Sequence, residues 1–257
     1  MIIEVKDMVG VARMRIAVPV IALALLLTGL GNVSSAEMSG KVLHVWDHSL
    51  DSSYYVYRQV NSGEYPLSVQ WDAYAFNYSQ GTQYVAIMAL VDSNGLAWGF
   101  FWKNGTVAIF SGTSDPSGST PVYTTSDGSS SHTYKIEVVY NKKKQISELK
   151  YYIDGQLVYS SKSTPKSVSY IGAGRIFTGG KQFDLVIDNV VYTYALGDLN
   201  NSDTVREDFE DGEDNFFTWE LVDTNDDKSG AEIVDSTQVP EFPFLKPLFD
   251  CLSSIIG

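Results

Sequence analysis

The stretch Tyr151-Tyr152-Ile153-Asp154-Gly155-Gln156-Leu157-Val158-Tyr159 decides the fold class of this chain. It sets Asp-Gly between two short runs of aromatic and β-branched residues, which predicts two antiparallel strands joined by a tight turn. A second stretch, Trp102-Lys103-Asn104-Gly105-Thr106-Val107, repeats the arrangement with Asn-Gly. Two such hairpins predict an antiparallel β protein.

Further strand-like segments surround both hairpins. Each is short, rich in aromatic and β-branched residues and partly alternating: 65–76, 83–91, 96–102, 135–140 and 183–194. By contrast, 111–131 is dominated by Ser, Thr, Gly, Pro and Asp and predicts mostly loop. Many short strands separated by turn residues predict an all-β fold, an antiparallel β-sandwich.

The N-terminus has the parts of a secretory signal. Arg13 and Arg15 precede an apolar run at 16–30, and Asn32-Val33-Ser34-Ser35-Ala36 ends in small residues. The run is about 15 residues long, whereas a membrane-spanning helix needs roughly 20. We therefore predict a signal peptide at 1–36 and a mature chain that is secreted or held at the cell surface without membrane insertion. A retained N-terminal anchor is the alternative.

Composition excludes some functions and constrains stability. The chain has 18 basic and 31 acidic side chains and a net charge of −13, which opposes binding to nucleic acid. Its one cysteine, Cys251, rules out a disulfide framework and a cysteine-based zinc cluster. Sixteen tyrosines, twelve phenylalanines and five tryptophans supply enough apolar area for a large core.

Three motifs in the middle of the chain resemble a known domain family. His132-Thr133-Tyr134-Lys135-Ile136, Tyr152-Ile153-Asp154-Gly155 and Ile187-Asp188-Asn189-Val190 are similar to successive motifs of concanavalin A-like (laminin-G-like) jelly-roll domains. The resemblance covers about 41–194 and implies a jelly-roll sandwich at 37–196. It is more specific for the fold than for a ligand.

The region after this domain resembles the beginning of another copy. Asp208-Phe209-Glu210-Asp211-Gly212, followed by Trp219, resembles the opening strand of the same family, which normally precedes the segment that starts here at Lys41. We predict a polar linker at 197–204 and extra strands at 205–238. Segment 208–222 could fill the vacant strand position in cis, remain unpacked, or join a second molecule in trans.

The last segment resembles a cell-surface sorting signal. Val239-Pro240-Glu241-Phe242-Pro243 is similar to the P-E-F signature of archaeal C-terminal sorting signals, which implies an archaeal surface protein. We predict a C-terminal tail at 239–257, in which residues 244–257 after the motif are too few to span a membrane and lack the basic cluster of that family, so we interpret the motif as degenerate.

No linear motif predicts a catalytic centre. The E-x-D-x-x-E pattern of jelly-roll glycosidases is absent, and Glu207 and Glu210 point to opposite faces of a regular strand. His44 and His48 flank Asp47 and could ligate a transition metal, but a surface or turn role is favoured. Carboxylates that converge from distant strands leave no motif, so a polysaccharide-degrading enzyme is an alternative, as is a structural assembly protein.

Calcium is the expected cofactor, because acidic side chains and backbone carbonyls are the ligands that Ca²⁺ prefers. In the family that this chain resembles, a structural ion often joins the opening strand to the closing one. That resemblance implies Glu210 and Asp208 from the opening motif and Asp188 from Ile-Asp-Asn-Val as ligands. Ordinary solvated acidic surface is the alternative.

Aromatic side chains could bind a sugar by stacking against the apolar face of its ring. The candidates are Tyr54, Tyr55, Tyr57, Trp98 and Trp102, and period-2 spacing puts the two tryptophans on one face of a strand. Facing outward they would form a binding platform, and facing inward they would be core. We select Tyr54, Trp98 and Trp102 as glycan-binding residues. The predicted function is a non-catalytic module for carbohydrate binding or adhesion, with a polysaccharide or glycan as partner.

Overall fold

The computed structural model describes residues 38–48, 54–76, 83–126, 130–177, 182–221 and 229–239. These ranges contain fifteen β-strands, two short 3₁₀ helices (Pro116–Gly118 and Ser236–Gln238) and no α-helix. The strands are β1 Lys41–Asp47, β2 Tyr54–Gln59, β3 Glu64–Phe76, β4 Val85–Val91, β5 Ala97–Lys103, β6 Thr106–Thr113, β7 Tyr123–Thr125, β8 His132–Tyr140, β9 Ile146–Ile153, β10 Gln156–Ser161, β11 Tyr170–Gly174, β12 Phe183–Leu196, β13 Ser202–Glu207, β14 Thr218–Leu221 and β15 Ser229–Asp235.

The strands form two antiparallel sheets. Sheet A has the order β10-β9-β8-β3-β12-β1-β15, with β13 also paired to β12, and sheet B has the order β14-β2-β11-β4-β5-β6-β7. The main core contains residues from both sheets: Trp71 of sheet A donates from Nε1 to the carbonyl of Ile87 in sheet B at 3.1 Å. The predicted all-β fold, an antiparallel sandwich of the jelly-roll type, is confirmed.

Both hairpins predicted from the sequence are present. Asn104 and Gly105 have φ of 51° and 75°, and Asp154 and Gly155 have φ of 51° and 75°. Positive φ at both central positions identifies type I′ turns, whose twist matches that of the flanking strands. The turns join β5 to β6 and β9 to β10.

The C-terminal strands complete both sheets of the same chain. Strand β14 pairs with β2, from Thr218 opposite Tyr57 to Leu221 opposite Tyr54. Strand β15 pairs with β1 along its whole length. The structure thus has the cis arrangement among the three alternatives, in which C-terminal residues cover backbone groups that a sheet edge would otherwise expose.

Two boundaries differ from the sequence prediction. Strand β13 begins at Ser202, inside the predicted linker 197–204, and pairs with the second half of β12. Its residues are mostly exposed and polar, and only Val205 packs against the core, so its composition resembled that of a linker. The segment 208–212, predicted as an opening strand, is a turn in which the amide of Gly212 donates to the carbonyl of Phe209.

The signal peptide at 1–36 and the P-E-F motif at 240–242 lie outside the described residues. Within the described ranges, no helix is long and apolar enough to cross a bilayer.

Candidate functional site

The inner face of sheet B contains the three aromatic residues that the sequence analysis selected for sugar binding. Tyr54 of β2 and Trp98 and Trp102 of β5 are 6%, 4% and 4% exposed and belong to the main core. Burial raises the pKa of Tyr54 to about 12. None of the three presents a ring face to solvent, so the prediction that they bind a glycan was wrong. Period-2 alternation grouped the two tryptophans correctly, but it could not decide which face of the strand is buried.

The outer face of sheet B presents a cluster of three half-buried tyrosines, Tyr55, Tyr57 and Tyr170, which we call the tyrosine patch. Tyr57 lies 5.7 Å from Tyr55 and 5.7 Å from Tyr170 between ring centroids, and Tyr55 stacks with Tyr170 at 6.2 Å. Gly174 and Gly172 of β11 lie directly opposite Tyr55 and Tyr57. A Cβ atom at Gly172 would lie 3.3 Å from the Tyr170 ring, and a Cβ atom at Gly174 would lie 2.9 Å from the carbonyl oxygen of Tyr54. The first glycine therefore leaves room for a tyrosine ring, and the second for the backbone of β2.

Small residues form the middle of the same outer face. Gly99 of β5 is required there, because a Cβ atom would lie 2.1 Å from the carbonyl oxygen of Met88. The chain after β11 folds over these small residues: Phe177 stacks on Phe101 at 6.1 Å, and Ile176 packs against the same apolar cluster. The tyrosine patch therefore lies beside a covered apolar floor.

A buried ion pair fixes the start of this covering segment. Arg175 Nη1 lies 2.9 Å from Asp47 Oδ2, and the two side chains are 3% and 0% exposed. The amide of Arg175 also donates to the carbonyl of Tyr54 at 2.8 Å. Since charges so deeply buried must be paired, Arg175 and Asp47 together position residues 175–177.

A pocket of about 320 Å³ adjoins the tyrosine patch at the ends of β2 and β3. It is lined by the turn 59–65, by Tyr140 and Lys144, and by 166–169. Tyr65 and Tyr140 meet edge to face at 5.7 Å, and Lys144 Nζ lies 5.5 Å from the centroid of the Tyr65 ring. Burial, followed by the proximity of Tyr65, raises the pKa of Tyr140. We call this cavity the lysine pocket, because Lys144 and Lys166 both line it.

The lysine pocket and the tyrosine patch share a boundary. Gln59, which lines the pocket, lies directly opposite Tyr170 of the patch. Its Nε2 donates to the carbonyl of Ser169, another pocket residue, at 3.0 Å. A ligand that crosses the patch could therefore continue into the pocket.

The carboxylates predicted to bind calcium lie close enough to influence one another electrostatically, around Asp188 of strand β12. Burial is the main cause that raises the pKa of Asp188 to about 6, and the charges of Asp72, Glu210 and Asp208 raise it further, whereas the amide of Asn189 lowers it. We call this group of four carboxylates the acidic corner. Asp72 lies directly opposite Asp188, and like charges in such a pair destabilise a sheet.

Hydrogen bonds within the protein occupy much of the acidic corner. Asn189, at φ 53°, donates from Nδ2 to Asp72 at 2.9 Å and to Asp188 at 3.2 Å. Glu210 Oε1 accepts from the amide of Lys41 at 3.1 Å. Among the described residues, no three or more His, Cys, Asp or Glu side chains are grouped so that they could hold a metal ion. The carboxylate oxygens are ligands of the kind that calcium prefers, but they accept hydrogen bonds from the protein itself.

His44 and His48, at and just after β1, both contact the buried carboxylate of Asp184. His44 Nε2 and His48 Nε2 lie 2.8 Å and 3.1 Å from oxygens of Asp184, whose side chain is 1% exposed. Glu207, considered above as a possible acid, accepts from the amides of Phe209 and Asn215 at 2.9 Å and 3.0 Å. These groups therefore stabilise the fold.

Sequence reasoning missed Tyr170 of the tyrosine patch, Asp72 of the acidic corner and the lining of the lysine pocket. Tyr170 could have been found from the small residues that follow it, because Gly172 and Gly174 predict neighbouring bulky side chains. Asp72 lies next to Asp188 because their strands pair. Lys166 and Lys144 line the same pocket because two loops pack beside each other. Neither position has a local signal in the sequence.

No family model and no curated protein matches the chain. Solved structures with a similar strand arrangement include an alginate lyase from Corynebacterium sp., 14% identical over 54% of this chain and 62% of the lyase, with a TM-score of 0.38. Another is the carbohydrate-binding module CBM66 from Bacillus subtilis, 15% identical over 60% of this chain and 95% of the module, with a TM-score of 0.38. The chain spans less than two thirds of the lyase. Because both TM-scores are below 0.5, neither structure indicates what this chain binds.

Proposed function

We propose that this protein is a non-catalytic carbohydrate-binding or adhesion module and that a polysaccharide binds across the tyrosine patch. The observation that carries the proposal is the grouping of Tyr55, Tyr57 and Tyr170, half-buried and in mutual contact, on the outer face of sheet B. Rings fixed by their neighbours lose little conformational freedom when a sugar stacks on them. Their hydroxyl groups can bond to sugar hydroxyls.

The residues beside the patch support binding rather than cleavage. Glycoside hydrolysis commonly needs two carboxyl groups roughly 5–9 Å apart on either side of the scissile bond. The outward positions that continue from Tyr57 across β11, β4 and β5 are Gly172, Ala89 and Gly99. These residues carry no acid or nucleophile, and because Ile176 and Phe177 cover this apolar floor, a sugar on the tyrosine patch would lie beside the floor and not on it.

The test is depletion of the mature chain, from Glu37 onward, by a panel of insoluble polysaccharides. We expect one polymer to deplete the protein without releasing sugars, and Tyr57→Ala to weaken that depletion. Tyr152→Ala is the matched control, because Tyr152 is a half-buried tyrosine on β9 of sheet A. Sugar release would support the enzyme alternative, and depletion by none of the polymers would contradict the proposal.

We also propose that Ca²⁺ stabilises the domain at the acidic corner, with Asp188, Glu210 and Asp208 as ligands and Asp72 close by. Burial is the main cause that raises the pKa of Asp188, and the charges of the neighbouring carboxylates raise it further. That smaller, repulsive contribution supports the proposal, because a cation would relieve it. Added Ca²⁺ should raise the melting temperature of the wild type and not that of Asp188→Asn. An equal response in both proteins, or in neither, would contradict the site.

Export to the exterior or to the cell surface remains part of the proposal and is supported by the signal-like residues 1–36. Amino-terminal sequencing of secreted material should begin at Glu37. Self-association through the C-terminal strands would require β14 or β15 to leave its partner in the same chain. Light scattering over a range of concentrations tests this possibility.

A further inference from the structure

The lysine pocket has a charge opposite to that of the protein as a whole. The chain has a net charge of −13, yet Lys144 and Lys166 both line this one cavity, and Lys142 and Lys143 precede Lys144 in the same turn. All four lysines are exposed. A local group of cations on an acidic protein attracts an anionic ligand and discriminates against a neutral one.

The carboxylate of Glu64 also lines the pocket, but it is already satisfied. It accepts from the hydroxyl of Tyr192 at 2.6 Å and from Nδ2 of Asn61 at 3.1 Å, and Arg58 Nη2 lies 3.9 Å away. Its side chain is 2% exposed. Arg58 balances this negative charge from within the protein, so the charges that remain for a ligand are those of the lysines.

Lys144 occupies a backbone conformation that its residue type disfavours. Its φ is 58°, in the left-handed region where glycine and asparagine are common. The side chain of Asn141 stabilises the turn by accepting from the amides of Lys143 and Gln145 at 2.8 Å and 3.1 Å. A glycine at position 144 would suit this turn better than a lysine does, so the turn geometry does not explain the lysine.

The Lys144 side chain holds its charge at the pocket. Nζ donates to the carbonyl of Gly197 at 2.5 Å and lies 5.5 Å from the centroid of the Tyr65 ring. An ammonium group has three donors, so two remain after the bond to Gly197. A fixed cation beside an aromatic ring is suited to a sugar that has both a negative charge and an apolar ring face.

We propose that the lysine pocket binds a negatively charged sugar residue of the glycan that the tyrosine patch holds. The carboxylate or sulfate of that residue pairs with Lys144 and Lys166, and its ring lies against Tyr65 and Tyr140. The cavity of about 320 Å³ is at the small end of the range of roughly 300–1,000 Å³ for ligand pockets, which suits a single residue. This inference depends on the proposed function, because the neutral part of the bound glycan lies on the tyrosine patch, on the other side of Gln59.

The test is calorimetric titration of the mature chain with three oligosaccharides of equal length: a uronate, a sulfated and a neutral one. We expect wild-type protein to bind at least one anionic oligosaccharide about tenfold more tightly than the neutral one, with the preference falling as salt rises. Lys144→Gly with Lys166→Gln should remove the preference, because it should weaken binding of the anionic oligosaccharides about tenfold and binding of the neutral one much less. Lys162→Gln is the control, because Lys162 is exposed and lies outside the pocket.

The variants separate a failure of this inference from a failure of the proposed function. Tyr57→Ala should weaken the binding of all three oligosaccharides, whereas the lysine variant should weaken chiefly the binding of the charged ones. Wild-type protein that binds charged and neutral oligosaccharides equally would overturn the lysine pocket and leave the patch standing. Anionic binding that Tyr57→Ala leaves unaltered would overturn the patch and, with it, the shared ligand. Glycine relieves the positive φ at position 144 but loses the bond to Gly197, so the melting temperature of each variant is measured as well. A loss of binding counts only for a variant that is folded at the temperature of the titration.

Discussion

The two faces of sheet B have similar aromatic content and different uses. On the inner face, Trp98 and Trp102 are 4% exposed and fill the core. On the outer face, Tyr55 and Tyr57 are half-buried and contact each other. On β2 the two uses alternate along one strand, since Tyr54 faces in and Tyr55 faces out. A shift of one residue in strand register would therefore exchange a core residue for one that faces outward.

The largest effect on stability should come from the inner face. Trp98→Ala should lower the free energy of unfolding by about 3–5 kcal/mol, because it leaves a large cavity in the core. Trp98→Phe should cost much less, because the indole Nε1 has no hydrogen-bond partner among the described residues. Urea denaturation of both variants measures the difference. Equal losses in the two variants would contradict the cavity as the main cause of the loss.

The next effect should come from the ion pair under the covering segment. Arg175→Ala should lower the free energy of unfolding by about 3 kcal/mol, because it leaves the carboxylate of Asp47 buried without its guanidinium. The double variant Arg175→Met, Asp47→Leu removes both charges and should recover part of that loss. A double variant less stable than Arg175→Ala would show that packing, rather than the charge of Asp47, dominates.

The outer face should affect binding more than stability. Tyr57→Ala should weaken polysaccharide binding roughly fivefold, equivalent to about 1 kcal/mol for one aromatic contact. Its free energy of unfolding should change by less than that of Trp98→Ala, because Tyr57 is only half-buried. Parallel binding and denaturation measurements test the contrast between the two faces. Similar losses of stability in Tyr57→Ala and Trp98→Ala would contradict this contrast between the two faces.

The smallest effect should come from sheet A, at the acidic corner. Burial raises the pKa of Asp188 to about 6, above the value near 3.9 of an unfolded aspartate. The folded state therefore binds this proton more tightly, and stability falls as the pH rises from about 4 to 6. Without calcium, Asp188→Asn should stabilise the protein at pH 7 and not at pH 4, where the wild-type carboxyl group is already protonated in the folded state. A gain that is independent of pH would contradict this electrostatic cause.

Local sequence signals predicted most of the strands. The Asn104-Gly105 and Asp154-Gly155 turns have the positive φ values that such pairs adopt readily. The strand predicted at 96–102 is β5 with a shift of one residue at each end. Strand β13 was missed, because a polar edge strand and a linker have the same composition.

The sequence alone determined that this chain forms an antiparallel sandwich, because turn residues and strand alternation are local properties. It also grouped side chains by strand face, since alternation has a fixed period. Only the tertiary structure decided that Tyr55 and Tyr57 face outward, because both faces of β2 contain aromatic residues and the glycines of β11 lie beside the outer one. It also decided which distant charges meet, because Asp72 and Asp188, like Lys144 and Lys166, are brought together by strand pairing and loop packing.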